Sequence, residues 1–150
     1  MRSHALLLGA MLTAVGCISP PSAGERLIAD ANQVVTAARF GRMDLVVACV
    51  KPELRSGFML SHAEWGGKIR ILDMEYNGAT PLDDKKAAVA VTVAWSRLDE
   101  TIVRTTALKQ TWEFGEERWQ MIGEEVVDGD PKLLSTGALS TRGDELASTP

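Results

Sequence analysis

The stretch from Lys86 to Leu98 constrains the fold more than any other part of this chain. Val89, Val91, Val93 and Trp95 are large and apolar, and they alternate with Ala88, Ala90, Thr92, Ala94 and Ser96, which are small. A period of two is a strand signature, and no helix of 3.6 residues per turn produces it. The segment therefore predicts a strand with one buried face and one flat, small-residue face. Asp99-Glu100 is a tight turn into a further strand, Thr101 to Phe114, and Gly115-Glu116 turns that strand into another, Arg118 to Val127. Upstream, Lys68 to Tyr76 has the same character. Asn77-Gly78 ends it, and Thr80 to Asp84 makes a turn-rich connection. The result is a four-stranded antiparallel meander closed by Pro131.

A two-residue loop at Asp99-Glu100 also fixes a register. Trp95 then faces Arg104, Val93 faces Thr106, Val91 faces Leu108, Val89 faces Gln110 and Ala87 faces Trp112. A second two-residue turn sets Trp112 opposite Trp119, Gln110 opposite Met121 and Thr106 opposite Glu125. A slip of one residue at that second turn would send every side chain of the last strand to the other face. In this register Trp95, Leu108, Trp112 and Trp119 share the covered face.

The first part of the chain has helical spacing. Leu27, Ala31, Val34 and Ala38 form a stripe, widened by Ile28 and Val35, that predicts a helix over 25–39. Glu25 suits its N-terminal dipole and Gly41 its stop. A short apolar helix follows over 44–50 with Asp44 as cap, and Pro52 ends it and opens a further turn through Arg55. Residues 56–67 hold Gly57, Gly66 and Gly67, and read as a loop anchored by Phe58, Leu60 and Trp65. The fold class is α+β, with N-terminal helices packed on a curved four-stranded antiparallel meander over residues 25–134. The Ser-, Thr-, Gly- and Ala-rich residues 135–150 read as a disordered tail.

The N-terminus carries an address. Arg2 is the only Asp, Glu, Lys or Arg before Cys17, and Ala5 to Val15 is apolar apart from Gly9 and Thr13. That is a secretory signal, too short to span a bilayer as a helix. Thr13-Ala14-Val15-Gly16-Cys17 resembles the lipobox of bacterial lipoproteins, with Ala14 where leucine is usual. The resemblance implies cleavage before Cys17 and lipidation of its thiol, with several acyl chains giving stable attachment to a membrane. Residues 1–16 are then the signal peptide and residues 17–24 a lipidated linker, kept extended by Pro20 and Pro21. The rival reading is ordinary cleavage after Ala23, which releases a soluble protein. Residue 18 is Ile and not Asp, so the resemblance implies the outer membrane, facing the periplasm, in a Gram-negative source.

Composition excludes some partners. The net charge is −4, and becomes one unit more negative when Arg2 is removed. The charges are interspersed with no basic patch, which argues against nucleic acid. Cys17 and Cys49 are the only cysteines, so lipidation of Cys17 leaves Cys49 without an intramolecular partner. Cys49 lies in an apolar run and reads as a small hydrophobe, not a reactive thiol. His62 is the only histidine after residue 16, too few His and Cys for a metal site. No cofactor is implied.

The order of these elements carries a second resemblance. A helix, Gly41-Arg42-Met43-Asp44, an apolar helix, Lys51-Pro52-Glu53-Leu54-Arg55, a Trp-containing loop, and a meander with a Trp near its last hairpin resemble the nuclear transport factor 2-like superfamily over residues 25–130. The resemblance implies a sheet curved around its helices into a cone with a pocket. The superfamily holds isomerases, dehydratases, hydrolases and non-catalytic modules, so fold does not choose function. Asp73 and Tyr76 invite comparison with the Asp and Tyr of its ketosteroid-isomerase-like members, but on a regular strand they point to opposite faces.

The candidate site residues lie on the covered face: Arg104 and Glu125 as a polar pair, with Trp95 and Gln110 beside them. As a pocket, Arg104 would clamp a carboxylate and Glu125 would act as a base. As structure, Arg104 stacks on Trp95 and pairs with Glu125 at the sheet rim. The structural reading is the favoured one, and no catalytic residue is assigned. The expected function is an envelope lipoprotein with a non-catalytic binding or scaffolding domain. The alternatives are an isomerase or hydrolase using the polar pair, or a carrier of a hydrophobic ligand. The small-residue sheet face is the expected surface for a protein partner or a homodimer. An open cone would favour the enzyme and a filled one the module.

Overall fold

The computed structural model describes residues 20–135. Cys17 and residues 136–150 lie outside them, and with them the lipidation and tail expectations. The element order is α1 (Ala23–Arg39), α2 (Met43–Cys49), a 3-10 turn (Pro52–Leu54), α3 (Arg55–Ser61), β1 (Ile69–Pro81), β2 (Lys86–Arg97), β3 (Val103–Phe114) and β4 (Trp119–Gly129), followed by a 3-10 turn over Pro131–Leu133. The four strands form one antiparallel meander in the order β1-β2-β3-β4. The α+β architecture is the one the sequence predicts.

α1 starts two residues earlier than expected, because Ser22 belongs to the domain and not to the linker. The Ser22 hydroxyl accepts from the Glu25 N–H, and the Glu25 carboxylate accepts from the Ser22 N–H at 2.7 Å. This reciprocal pair satisfies two of the N–H groups that a helix start leaves without partners. Leu27, Ala31, Val34, Val35, Ala37 and Ala38 form the buried stripe of α1, which packs mainly on β1. The C-terminal end of α1 is closed by backbone bonds from Phe40, Gly41 and Arg42, and Gly41 takes a positive φ. Asp44 is not the cap of α2. It is held by a two-pronged contact from Arg42, which occupies that position.

Residues 56–61, expected as loop, are helical and belong to α3. Gly57 is tolerated inside α3, where Phe58 is fully buried. Phe58 is thus the anchor the sequence predicts, and the Trp65 indole N–H fixes the following loop by donating to the Leu133 carbonyl at 2.8 Å. Leu60 is two-thirds exposed and anchors nothing. β1 runs on through Asn77-Gly78 to Pro81. Gly78 has φ 121°, and the strand absorbs two irregularities, between Ile71 and Asp73 and between Tyr76 and Ala79.

β2 and β3 pair as the alternation requires. Trp95 faces Arg104, Val93 faces Thr106, Val91 faces Leu108, Val89 faces Gln110 and Ala87 faces Trp112. The connection between them is longer than a two-residue turn, since β2 ends at Arg97 and β3 begins at Val103, but the register is unchanged. The β3–β4 register is not the expected one. The turn is wider, so Phe114 faces Trp119 and Trp112 faces Met121. A bulge between Thr111 and Trp112 then adds one residue on β4. A single added residue reverses the faces of everything after it. Gln110 therefore faces Glu124, and Glu125 turns outward opposite Lys109. Trp95, Leu108, Trp112, Trp119 and Met121 all remain buried, as the sequence predicts for the covered face.

Candidate functional site

The inner face of the sheet carries a line of polar groups between the tryptophans. Thr106, Gln110 and Glu124 come from β3 and β4, and Ser61 and His62 from the end of α3; all five are buried. His62 caps α3 at its C-terminal end, so the helix aims its imidazole at the sheet. The ring stacks on Phe58 with centroids 4.0 Å apart and meets the edge of Trp65 at 4.6 Å.

Hydrogen-bond geometry assigns the protons along this line. Nδ1 of His62 lies 2.8 Å from the Phe58 carbonyl oxygen, which can only accept, so Nδ1 carries a proton. The Ser61 hydroxyl donates to the same carbonyl at 2.8 Å and accepts from Nδ1 at 3.0 Å. Nε2 then faces Oε2 of Glu124 at 2.8 Å. That contact is close but not aligned as a hydrogen bond, and Oε2 makes no other among the described residues. The other carboxylate oxygen, Oε1, accepts from Gln110 Nε2 at 2.8 Å, and Gln110 Oε1 accepts from the Trp112 indole N–H at 3.2 Å. Trp95 is satisfied separately, donating to Thr106 Oγ1 at 3.0 Å.

Serine, histidine and glutamate in one row resemble an acyl-transfer constellation by letter only. The proton on Nδ1 faces Ser61, so this nitrogen cannot take the serine's proton, as a general base must. The serine proton is itself committed to Phe58. Each member of the row is bonded to another member or to backbone, and each is sealed by the aromatic side chains around it. A buried polar pair packed this way resists the loss of either partner, because the survivor would be left without its match in a dry interior.

The site residues expected from sequence separate. Gln110 and Trp95 are on the inner face, fully buried. Arg104 lies at the rim, with its guanidinium 5.4 Å from the centre of the Trp95 ring, so the expected stacking is present. Its carboxylate partners are Glu100 and Asp130, the latter at 3.0 Å, and not Glu125. Glu125 is on the opposite face, half exposed, and paired with Lys109. The proposed Arg104–Glu125 pair does not form, because the β4 bulge exchanges Glu125 for Glu124. Sequence reasoning placed His62 in a loop and left Glu124 unassigned. The one available signal was that two adjacent acids, Glu124 and Glu125, offer one carboxylate to each face of any strand.

Asp73 and Tyr76 do not converge on the inner polar row. Asp73 pairs with Arg39 at 3.2 Å at the outer end of α1. Cys49 is half-buried against the core, and burial pushes its thiol pKa up. Asp30 pushes it the same way, while Arg118 and Arg55 lie near enough to oppose them in part. A raised thiol pKa means little thiolate near neutrality, which fits a packing role. Among the described residues, no group of three or more His, Cys, Asp or Glu is placed to hold a metal ion, and no helix is long and apolar enough to cross a membrane. The outer sheet face presents Ala88, Ala90, Thr92 and Ala94, bordered by the Lys109–Glu125 pair.

No protein-family model and no curated protein matches the chain. Solved structures do. A SEC-C motif containing protein from Rhodopseudomonas palustris superposes with a TM-score of 0.50 at 18% identity, over 62% of this chain and 72% of that one. A nuclear transport factor 2-like protein from Cytophaga hutchinsonii superposes with a TM-score of 0.53 at 11% identity, over 67% of this chain and 93% of that one. Identities this low speak to architecture alone. The chain has the nuclear transport factor 2-like cone fold, with three helices on an antiparallel four-stranded sheet.

Proposed function

We propose that this protein is an envelope lipoprotein, anchored through Cys17, whose cone-shaped domain binds or scaffolds a partner and catalyses no reaction. The observation that carries the non-catalytic reading is the filled cone. Gln110, Glu124 and His62 are at most 5% exposed, and they bond to one another where an enzyme of this shape would present them to a substrate. A general acid or base must come within hydrogen-bond reach of the substrate. The carboxylate that the sequence nominated for that role is on the outer face.

The helix start supports anchoring at Cys17 over release after Ala23. Cutting after Ala23 would remove the Ser22 cap. It would also sever the bond from the Trp119 indole N–H to the Ala23 carbonyl, 2.7 Å long. Cutting before Cys17 leaves both in place. Four residues, 18–21, then separate the lipidated residue from the domain, a reach of about 14 Å at full extension. In a Gram-negative source, Ile18 in place of Asp favours the outer membrane, facing the periplasm.

Mass spectrometry of the chain recovered from source-cell membranes tests this. The expected N-terminus is an acylated Cys17, and Cys17→Ser blocks processing. An unmodified chain starting at Gly24 or nearby overturns it. Light scattering on the same detergent-solubilised material tests whether the Ala88, Ala90, Thr92 and Ala94 face also pairs two copies. A mass of one chain per particle rejects that pairing.

A further inference from the structure

A cleft of about 250 Å³ opens where the C-terminal end of α1 meets the start of β1 and the β2–β3 turn. Met43, Trp65, Ile71 and Leu98 give it apolar walls, and Arg39 and Arg70 stand among its lining residues. It is smaller than the roughly 300–1,000 Å³ of pockets that take metabolites or cofactors. We infer that it receives one large apolar side chain of a partner protein, presented in a segment with carboxylates beside it. The inference rests on the binding-module reading above and assigns it a surface.

Three observations select this occupant. First, the size and the apolar walls suit an anchor side chain of the kind that carries most of the energy of a protein interface. Second, the apolar surface continues beyond the cleft. Leu98, Ile102 and Val103 are each more than half exposed around the same turn, where a folded monomer would ordinarily show charge. Third, one cation is left without a partner. Asp73 is paired with Arg39, Glu64 with Lys68 and Arg97, Asp99 with Arg97, Glu100 with Arg97 and Arg104, and Asp130 with Arg104. Arg70 is exposed and has no carboxylate within 4 Å among the described residues. An incoming acid completes the set, and opposite charge at a rim steers a partner into place.

The position also suits an anchored domain. The cleft is at one end of α1 and the linker at the other, about 25 Å away along a helix of 17 residues. A lipid at Cys17 would attach at the end of α1 opposite the cleft.

The four methionines after Cys17, at 43, 59, 74 and 121, supply a reporter, since only Met43 lines the cleft. The full chain, with methionine methyls labelled with carbon-13 and held in detergent micelles, is titrated by NMR with the peptide Gly-Asp-Glu-Leu-Glu-Asp-Gly. Two counterparts serve as controls, one with alanine for leucine and one with amides for the acids. The acidic leucine peptide should shift Met43 with millimolar affinity and leave Met59, Met74 and Met121 unmoved. The alanine peptide should bind about tenfold more weakly. The neutral peptide should bind about threefold more weakly, the scale of an exposed ion pair.

Arg70→Gln should make the acidic and neutral peptides equal. Gly67→Leu should fill the cleft and abolish the shift. A Cβ at Gly67 meets only the Glu64 carbonyl oxygen, at an ordinary 3.6 Å. An unmoved Met43, or equal shifts from all three peptides, overturns the inference. The mass of the N-terminus is independent of both results, so the anchoring proposal stands or falls separately.

Discussion

Nε2 of His62 lies 2.8 Å from Oε2 of Glu124, joining the end of α3 to the last strand of the sheet inside the cone. Both side chains are nearly inaccessible to water. Packed together, the two groups give each other a polar neighbour in an interior that offers little water. Truncating one partner leaves the other without its match, at a typical cost of about 3–5 kcal/mol. Glu124→Leu and His62→Ala should each lower the unfolding free energy by that much, read from the fall in urea midpoint. The double variant His62→Phe with Glu124→Met should recover much of the loss, because packed apolar side chains leave no uncompensated charge.

The two neighbouring acids should behave as opposites. Glu125 is half exposed and its pair with Lys109 is an ordinary surface contact, worth about 0–1 kcal/mol. Glu125→Gln should leave the urea midpoint nearly unchanged, whereas Glu124→Leu should shift it strongly. Equal effects at both positions would mean that the β4 bulge is absent.

Gly129 closes β4 with φ 87°, a conformation that costs little only for glycine. A Cβ there would collide with the Thr105 carbonyl oxygen and come within 2.8 Å of Thr106 Cα. Both neighbours are backbone of β3 and cannot move aside cheaply. Gly129→Ala should cost about 1–3 kcal/mol or more in denaturant unfolding, and a neutral result would contradict the register at this end of the sheet.

The start of α1 sets an acid-side dependence. Hydrogen bonds from the Ser22 N–H, and then from its side chain, hold the Glu25 carboxyl below its ordinary pKa. A lowered folded pKa gives stability that is present above the ordinary glutamate value, about 4.3, and lost as pH falls through the lowered one. Ser22→Ala should cost about 1 kcal/mol near neutrality. Its penalty, followed by thermal melts, should shrink below about pH 4, and a penalty that grows on acidification would reverse the sign argued here.

How far the sequence could be read depended on local regularity. β2 and β3 were legible because strict alternation and matched apolar faces leave one acceptable register, whatever the exact length of the turn. β4 was not. Its wider turn and its bulge add residues whose only sequence trace is Gly123 beside two acids, and one added residue decides whether Glu124 or Glu125 faces inward. α3 was hidden because Gly57 and the nearby glycines outweigh a single apolar anchor, Phe58. His62 then followed α3 into the wrong class, since its burial depends on a helix that points it at the sheet. The Arg104–Trp95 stack was legible because both residues sit in the secure β2–β3 register, but the acids that hold Arg104, Glu100 and Asp130, come from segments outside that ladder.

The central claim is that the cone is a closed structural core and the domain works through its surface. A crystal structure of the ligand-free protein, at a resolution that shows ordered water, tests it most directly. The account predicts that Gln110, Glu124 and His62 partner one another with at most a single water at Glu124 Oε2. A chain of waters, or a small molecule carried through purification, lying against Glu124 and Trp112 would contradict it and return the inner polar row to the status of an active or ligand-binding site.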